Sequence, residues 1–217
     1  MQQAQNSQLQ PGGKGVNVAA CLAATGHTVT LTGLFGKANL AQFVPWLEQR
    51  GIHHTLVEVA GTTRTNIKLV DAQQTTDINL QGFSVSPSEQ EVLEQRIDLH
   101  AASASWVVLS GSLPAGVPPA FYRYLTAMLR QHAVKVALDT SGAALQASLA
   151  AGEGGLPDLV KPNRHELEAW CGKALPTPEL VLEQAEALQR SGIAQVLVSL
   201  GAEGALLVTA DGHWWAS

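Results

Sequence analysis

Five short segments of the chain combine the residue types that hold an anion. Pro11-Gly12-Gly13-Lys14-Gly15 leads into Val16-Asn17-Val18-Ala19-Ala20, a small-residue stretch that reads as a helix ending at Gly26. Glycines admit close backbone approach, and a helix N-terminus presents unpaired N–H groups at the positive end of its dipole. Lys14 and Asn17 add a cation and an amide. The same residues also describe a flexible turn before a packed helix. A Walker A loop is excluded, because no Ser or Thr follows Lys14 and the glycine spacing differs.

The other four segments each carry two readings. Gly61-Thr62-Thr63-Arg64-Thr65-Asn66 places Arg64, a side chain suited to forked recognition of phosphate, where a solvated surface charge is the plainer alternative. Ser110-Gly111-Ser112-Leu113-Pro114 gathers hydroxyls and backbone N–H groups at a strand's carboxyl end, the edge of open α/β sheets where ligands bind, or is an ordinary loop. Lys161-Pro162-Asn163-Arg164-His165-Glu166 has the spacing of an N-cap and its third-position acid. Its carboxylate could also act on a hydrated magnesium ion through water. Ser199-Leu200-Gly201-Ala202-Glu203-Gly204 could bring backbone amides to a nucleotide, with a tight turn as the default. Asp139-Thr140-Ser141 ends a further strand as a supporting acid or a cap.

The elements that must position these groups alternate. Strand-like runs are expected at 28–35, 55–59, 65–70, 106–110, 135–139, 158–160 and 195–200. A further strand-like run at 205–209 ends in an Asp211-Gly212 hairpin turn. Ser86-Pro87-Ser88-Glu89 predicts a capping box opening a helix toward His100, and Thr177-Pro178-Glu179 opens another that ends near Ser191-Gly192. Continuous apolar runs such as Val107-Val108-Leu109 and Val196-Leu197-Val198 predict strands buried on both faces of a parallel sheet. The stretch 62–82 alternates apolar and polar residues around Asp71-Ala72-Gln73-Gln74, which predicts a protruding hairpin. A helix over 39–50 must be kinked or start late, since Pro45 in its interior costs about 3 kcal/mol.

Composition narrows the function. The chain has 217 residues, 46% hydrophobic and 14% charged, and a net charge of -5, enough apolar material for one sizeable domain and too little charge for wholesale disorder. No basic stripe offers a footprint for nucleic acid. Cys21 and Cys171 lie far apart, and His27, His53, His54, His100, His132, His165 and His213 show no metal-ligand spacing. No Gly-x-Ser-x-Gly elbow is present, so hydrolase and metalloenzyme readings fall away. Without a basic start, an apolar signal core or an apolar run of roughly 20 residues, the chain is expected to be soluble and cytoplasmic, with no membrane partner.

Taken in order, 11–19, 63–69, 110–114, 161–166 and 199–204, with Gly33-Leu34-Phe35-Gly36-Lys37 and 77–83, resemble the PfkB (ribokinase-like) family of sugar kinases over essentially the whole chain. The resemblance implies one ribokinase-like layered α/β/α domain over 1–217, with a mostly parallel central sheet and a small β lid at about 62–82, incomplete at both termini. It implies phosphorylation of a hexose phosphate, fructose 1-phosphate or tagatose 6-phosphate, with ATP and Mg²⁺ as cofactors. Gly12, Gly13, Lys14 and Asn17 would hold the sugar phosphate. Arg64, Asn66 and Lys68 would meet its phosphate or hydroxyls, above Ser110. Lys161, Asn163 and Glu166 would lie near ATP phosphates and magnesium, the last two as ligands through water. Ser199, Gly201, Ala202, Glu203 and Gly204 match the nucleotide loop, and the lid often mediates homodimers. The family's first strand, with an Asp for sugar hydroxyls, and its Gly-Ala-Gly-Asp motif, whose Asp is the base, have no counterpart here. The expectation is therefore a chain with little or no activity alone, against the alternative of a sugar-phosphate-binding remnant. A Rossmann dehydrogenase is disfavoured, since Gln-rich sequence rather than a strand precedes Gly12.

Overall fold

The structure, a computed structural model, describes residues 6–70, 75–150 and 155–217. The turn expected at Asp71-Ala72-Gln73-Gln74 and the first half of the Gln-rich leader lie outside the described residues. Two compact units divide the chain, one comprising Met1–Leu93 with Pro114–Gly116 and the other Glu94–Leu113 with Val117–Ser217.

In the first unit, α1 (Lys14–Ala24) is followed by strands β1 (Thr30–Gly36) and β2 (His53–Val59), which pair in parallel. The helix expected over 39–50 is shorter than its pattern, a 3₁₀ turn at Leu40–Gln42 and then α2 (Val44–Glu48). Pro45 falls in the first turn of α2, where its missing N–H has no intrahelical acceptor to serve. Buried Val16, Phe35 and Phe43 form one apolar cluster and Ala19, Leu47 and Ile52 another, and these fasten α1 and α2 to the strands. β3 (Asn66–Val70) and β4 (Thr75–Asn79) make an antiparallel pair in which Ile67 faces Ile78 and Lys68 faces Asp77.

The second unit is built on a six-stranded sheet. Its strands are β5 (Trp106–Ser110), β6 (Lys135–Asp139), β7 (Leu159–Val160), β8 (Gln195–Ser199), β9 (Ala205–Thr209) and β10 (Gly212–Ala216), in spatial order β10-β9-β8-β7-β6-β5. β5 to β8 run parallel, and β9 and β10 return antiparallel. Val136, Leu138, Val160, Val196, Val198 and Leu206 are wholly buried. The accompanying helices are α3 (Pro87–Ala101), α4 (Phe121–Leu129), α5 (Gly142–Leu149), α6 (Arg164–Cys171) and α7 (Pro178–Arg190), with α3 split between the units at Leu93. α7 packs on β8 and β9, α6 on α7 and β8, and α5 on α4 and α6.

The expected double-sided burial holds for Val196 and Val198 but not for β5, where Trp106 is 40% and Val108 38% exposed. β5 is an edge strand whose one neighbour in its sheet is β6. Apolar continuity reports a strand's composition, not its rank in the sheet. Among the described residues no helix is long and apolar enough to cross a membrane.

Candidate functional site

Four consecutive parallel strands bring their carboxyl ends to one edge, so the segments after β5, β6, β7 and β8 line up in a row. Register sets their spacing: Ser110 faces Asp139, Leu138 faces Val160, and Val160 faces Val196. Beyond the last pairs, Gly111 N donates to Asp139 O (2.9 Å) and Lys161 N to Leu138 O (2.9 Å). Asn163 bridges to Ser199, and Ser199 N donates to Pro162 O (3.0 Å). Thus Ser110, Asp139, Lys161, Asn163 and Ser199, scattered over the sequence, share one sheet edge.

Side chains tie the row together. Lys161 Nζ lies 3.3 Å from Asp139 Oδ1, a carboxylate only 10% exposed, so Asp139 serves as the partner of a lysine. Ser141, at the N-cap of α5, makes no side-chain cap bond. Arg164 Nη2 meets Glu203 Oε2 at 2.6 Å, which joins the start of α6 to the 3₁₀ turn Gly201–Glu203. Asn163 and Glu166 form the expected capping box: Glu166 N donates to Asn163 Oδ1 (2.9 Å) and Asn163 N to Glu166 Oε2 (2.8 Å). Gly201, Ala202 and Glu203 are exposed and Gly204 is half-buried.

Ser110 carries a buried hydroxyl with no hydrogen-bond partner among the described residues. Leaving such a group unsatisfied costs about 1–3 kcal/mol, a deficit that a polar ligand would cancel. Beneath it the buried Tyr122 hydroxyl donates to Ser110 O (3.2 Å) and Gly111 O (3.1 Å). Burial, and secondarily the charge of Asp139, pushes the Tyr122 phenol up to about 12. Thr140 Oγ1 also donates to Gly111 O (2.7 Å), so this turn is held from two sides.

In the first unit the glycine segment is an uncapped helix start. Gly13 is the N-cap of α1 at φ 116, a left-handed conformation that favours glycine, and it has no side chain to cover the first-turn N–H groups. The first turn carries no acid, and Lys14 adds a cation to the positive end of the dipole. Gly12, Gly13, Lys14 and Asn17 are all exposed. Arg64 is exposed at the foot of β3, and among the described residues no ion pair engages it. Asn66 faces Asn79 across the hairpin, and Lys68 Nζ pairs with Asp77 Oδ1 at 2.7 Å, both ends well exposed.

Residues 1–216 match the family described as pfkB family carbohydrate kinase. The chain belongs to the PfkB family. It is 46% identical over 202 residues to the 1-phosphofructokinase of Xanthomonas campestris pv. campestris, covering 92% of this chain and 64% of that protein. Against the 1-phosphofructokinase of Rhodobacter capsulatus the identity is 44%, covering 93% of this chain and 64% of the relative. The chain thus spans just under two thirds of the length of these relatives. The crystal structure of phosphofructokinase-2 from Escherichia coli in complex with substrates and products superposes at a TM-score of 0.87 with 31% identity, covering 99% of this chain and 72% of that one. The mostly parallel sheet with its helices is therefore the ribokinase-like fold of this family.

Several contacts of this PfkB chain were not singled out from sequence. They are Lys161 with Asp139, Arg164 with Glu203, the phenol of Tyr122, and a grip of Asn39 on Thr63. Lys161, Asp139, Arg164, Glu203 and Thr63 lie inside segments already in view, whereas Tyr122 and Asn39 carried no signal of their own. Among the described residues no group of three or more His, Cys, Asp or Glu could hold a metal ion. Asn163 and Glu166 instead offer hard oxygen donors already engaged in a cap, which fits magnesium held through its own waters.

Proposed function

We propose that this protein is a 1-phosphofructokinase, transferring the γ-phosphoryl group of ATP to fructose 1-phosphate to give fructose 1,6-bisphosphate and ADP. The observation that carries the reading is the 46% identity to a 1-phosphofructokinase across 92% of this chain. In such a transfer the protein mainly positions two anions and stabilises spreading charge. We assign the sugar phosphate to Gly12, Gly13, Lys14 and Asn17, whose uncapped helix start supports that role. Arg64, Asn66 and Lys68 are assigned to the sugar substrate as well. The unsatisfied hydroxyl of Ser110 supports its own assignment to that substrate.

ATP is assigned to the part of the sheet-edge row that follows β7 and β8: Lys161 to its phosphates, and Ser199, Gly201, Ala202 and Gly204 to the nucleotide through backbone groups. Glu203 acts by its ion pair with Arg164, which holds that turn against α6. Asn163 and Glu166 would hold magnesium through water, and the ion, when bound, supplies positive charge to the phosphates. The β3–β4 hairpin is assigned as the cover of the sugar, which keeps water from the bound substrate.

The test is Mg-ATP-dependent phosphorylation by the complete protein, with fructose 1-phosphate and tagatose 6-phosphate in parallel and fructose 1,6-bisphosphate as the detected product. A kcat/KM at least about tenfold higher for fructose 1-phosphate is expected. Preference for tagatose 6-phosphate would reassign the substrate, and binding without turnover on either sugar would defeat the kinase reading.

A further inference from the structure

The turn that ends β1 reaches along β2 to the segment just before Arg64. Lys37 N donates to Val59 O (2.9 Å) and Ala38 N to Gly61 O (3.0 Å), extending the parallel contact past the last paired residues. Asn39 then grips Thr63 at two points. Its Nδ2 donates to Thr63 O (3.0 Å), and its Oδ1 accepts from Thr63 N (2.9 Å). From the other side Gly36 N donates to Thr63 Oγ1 (2.8 Å). Gly36 has to be glycine here, because a Cβ would run into Thr63 N and Thr62 C.

Two features distinguish this arrangement from ordinary loop packing. Asn39 occupies the N-cap position of the following 3₁₀ turn yet makes no side-chain cap bond, so its amide serves the distant segment instead of the local one that Asn commonly serves. The carbonyl it holds also belongs to the peptide unit joining Thr63 to Arg64. That unit is planar, so orienting Thr63 O orients the N–Cα bond of Arg64. Gly82 lies against Arg64, where a Cβ would sit 3.3 Å from Arg64 Cβ. The backbone that leads into Arg64 is thereby held at Thr63, while its guanidinium stays exposed.

We infer that Asn39 is a positioning residue that aims Arg64 at the phosphate of the sugar substrate. This rests on the assignment of Arg64 to the sugar phosphate made above. The experiment is a double-mutant cycle on the complete protein, with Kd for fructose 1-phosphate and for Mg-ATP read by calorimetry. Arg64→Ala is expected to weaken fructose 1-phosphate about tenfold or more, the loss of a charged hydrogen bond. Asn39→Ala is expected to weaken it about three- to tenfold through misalignment. In the Arg64→Ala background the same change is expected to alter Kd by less than about twofold, because the two effects share one path. Mg-ATP affinity is expected to hold throughout.

An unchanged Kd in Asn39→Ala, additive losses, or an equal loss of Mg-ATP affinity would each overturn the inference while leaving the assignment of Arg64 standing. Wild-type affinity in Arg64→Ala would overturn that assignment and the inference with it. If Asn39→Ala does not fold, Asn39→Asp carries the same cycle, keeping an acceptor for Thr63 N–H and losing the donor to Thr63 O. A smaller loss in the same direction, absent in the Arg64→Ala background, is expected there, and reference affinity would overturn the inference.

Discussion

Tyr122 shows how one buried phenol can hold a loop it does not belong to. Its hydroxyl lies between the carbonyls of Ser110 and Gly111, and burial beside Asp139 raises its proton affinity to about 12 from an ordinary 10.0. A phenolate there would face two carbonyl oxygens and a carboxylate. The folded state thus binds this proton more tightly than the unfolded state does, so the phenol's contribution is fully present below pH 10 and is lost as pH rises toward 12. Tyr122→Phe removes the hydroxyl and the titration together. At neutral pH the variant is expected to be less stable by about 1 kcal/mol in chemical denaturation, the net value of a hydrogen bond. Between pH 10 and 12 that gap is expected to close and reverse, because the reference protein alone loses on the order of 2 kcal/mol. Parallel stability curves for the two proteins would exclude the phenol as the alkaline-sensitive group.

At the scale of elements, what could be read from the sequence was what is local. The capping boxes at Ser86 and Glu89 and at Asn163 and Glu166 lie within one turn, and both are present, as is the N-cap bond of Thr177 to Leu180 N. The contacts that finish the candidate site span 24 residues from Asn39 to Thr63 and 39 from Arg164 to Glu203, distances over which periodicity carries no information. The exposure of β5 follows equally from strand order, which no run of apolar residues encodes. The β3–β4 hairpin was legible from its alternation, and that alternation makes a prediction of its own. Ile67 and Leu69 share a face with Ile78, and all three are exposed, at 38%, 51% and 42%. We propose this face as the surface of a homodimer, since paired apolar strands left in water favour self-association. Leu69→Glu with Ile78→Glu is expected to shift the protein from dimer to monomer in analytical ultracentrifugation. Because both positions are exposed in the single chain, the monomer's unfolding midpoint should scarcely move. A reference protein that is already monomeric at micromolar concentration would end this proposal.

Across the whole molecule, the two candidate binding regions fall in different compact units, the glycine helix start and Arg64 in one and the sheet-edge row in the other. Each therefore has its own reporters. The first-turn N–H groups of α1 have no intrahelical acceptor and no side-chain cap, so their exchange with solvent is governed by whatever else binds them. If that is the sugar phosphate, fructose 1-phosphate alone should slow hydrogen exchange at Lys14 to Val16 and at Thr63 to Asn66. Exchange at Gly201 to Gly204 should stay as it was. Mg-ATP alone should slow Lys161 to Glu166 and Ser199 to Gly204 and leave the start of α1 unchanged. Binding of this kind protects amides by ligand contact and by mass action on local opening, so protection should saturate with ligand concentration. Were the sugar phosphate to protect the turn at Gly201 to Gly204 and spare α1, the two ligand assignments would have to be exchanged. Protection of neither region by either ligand would remove the basis for assigning phosphoryl transfer to these residues, whatever the chain's kinship.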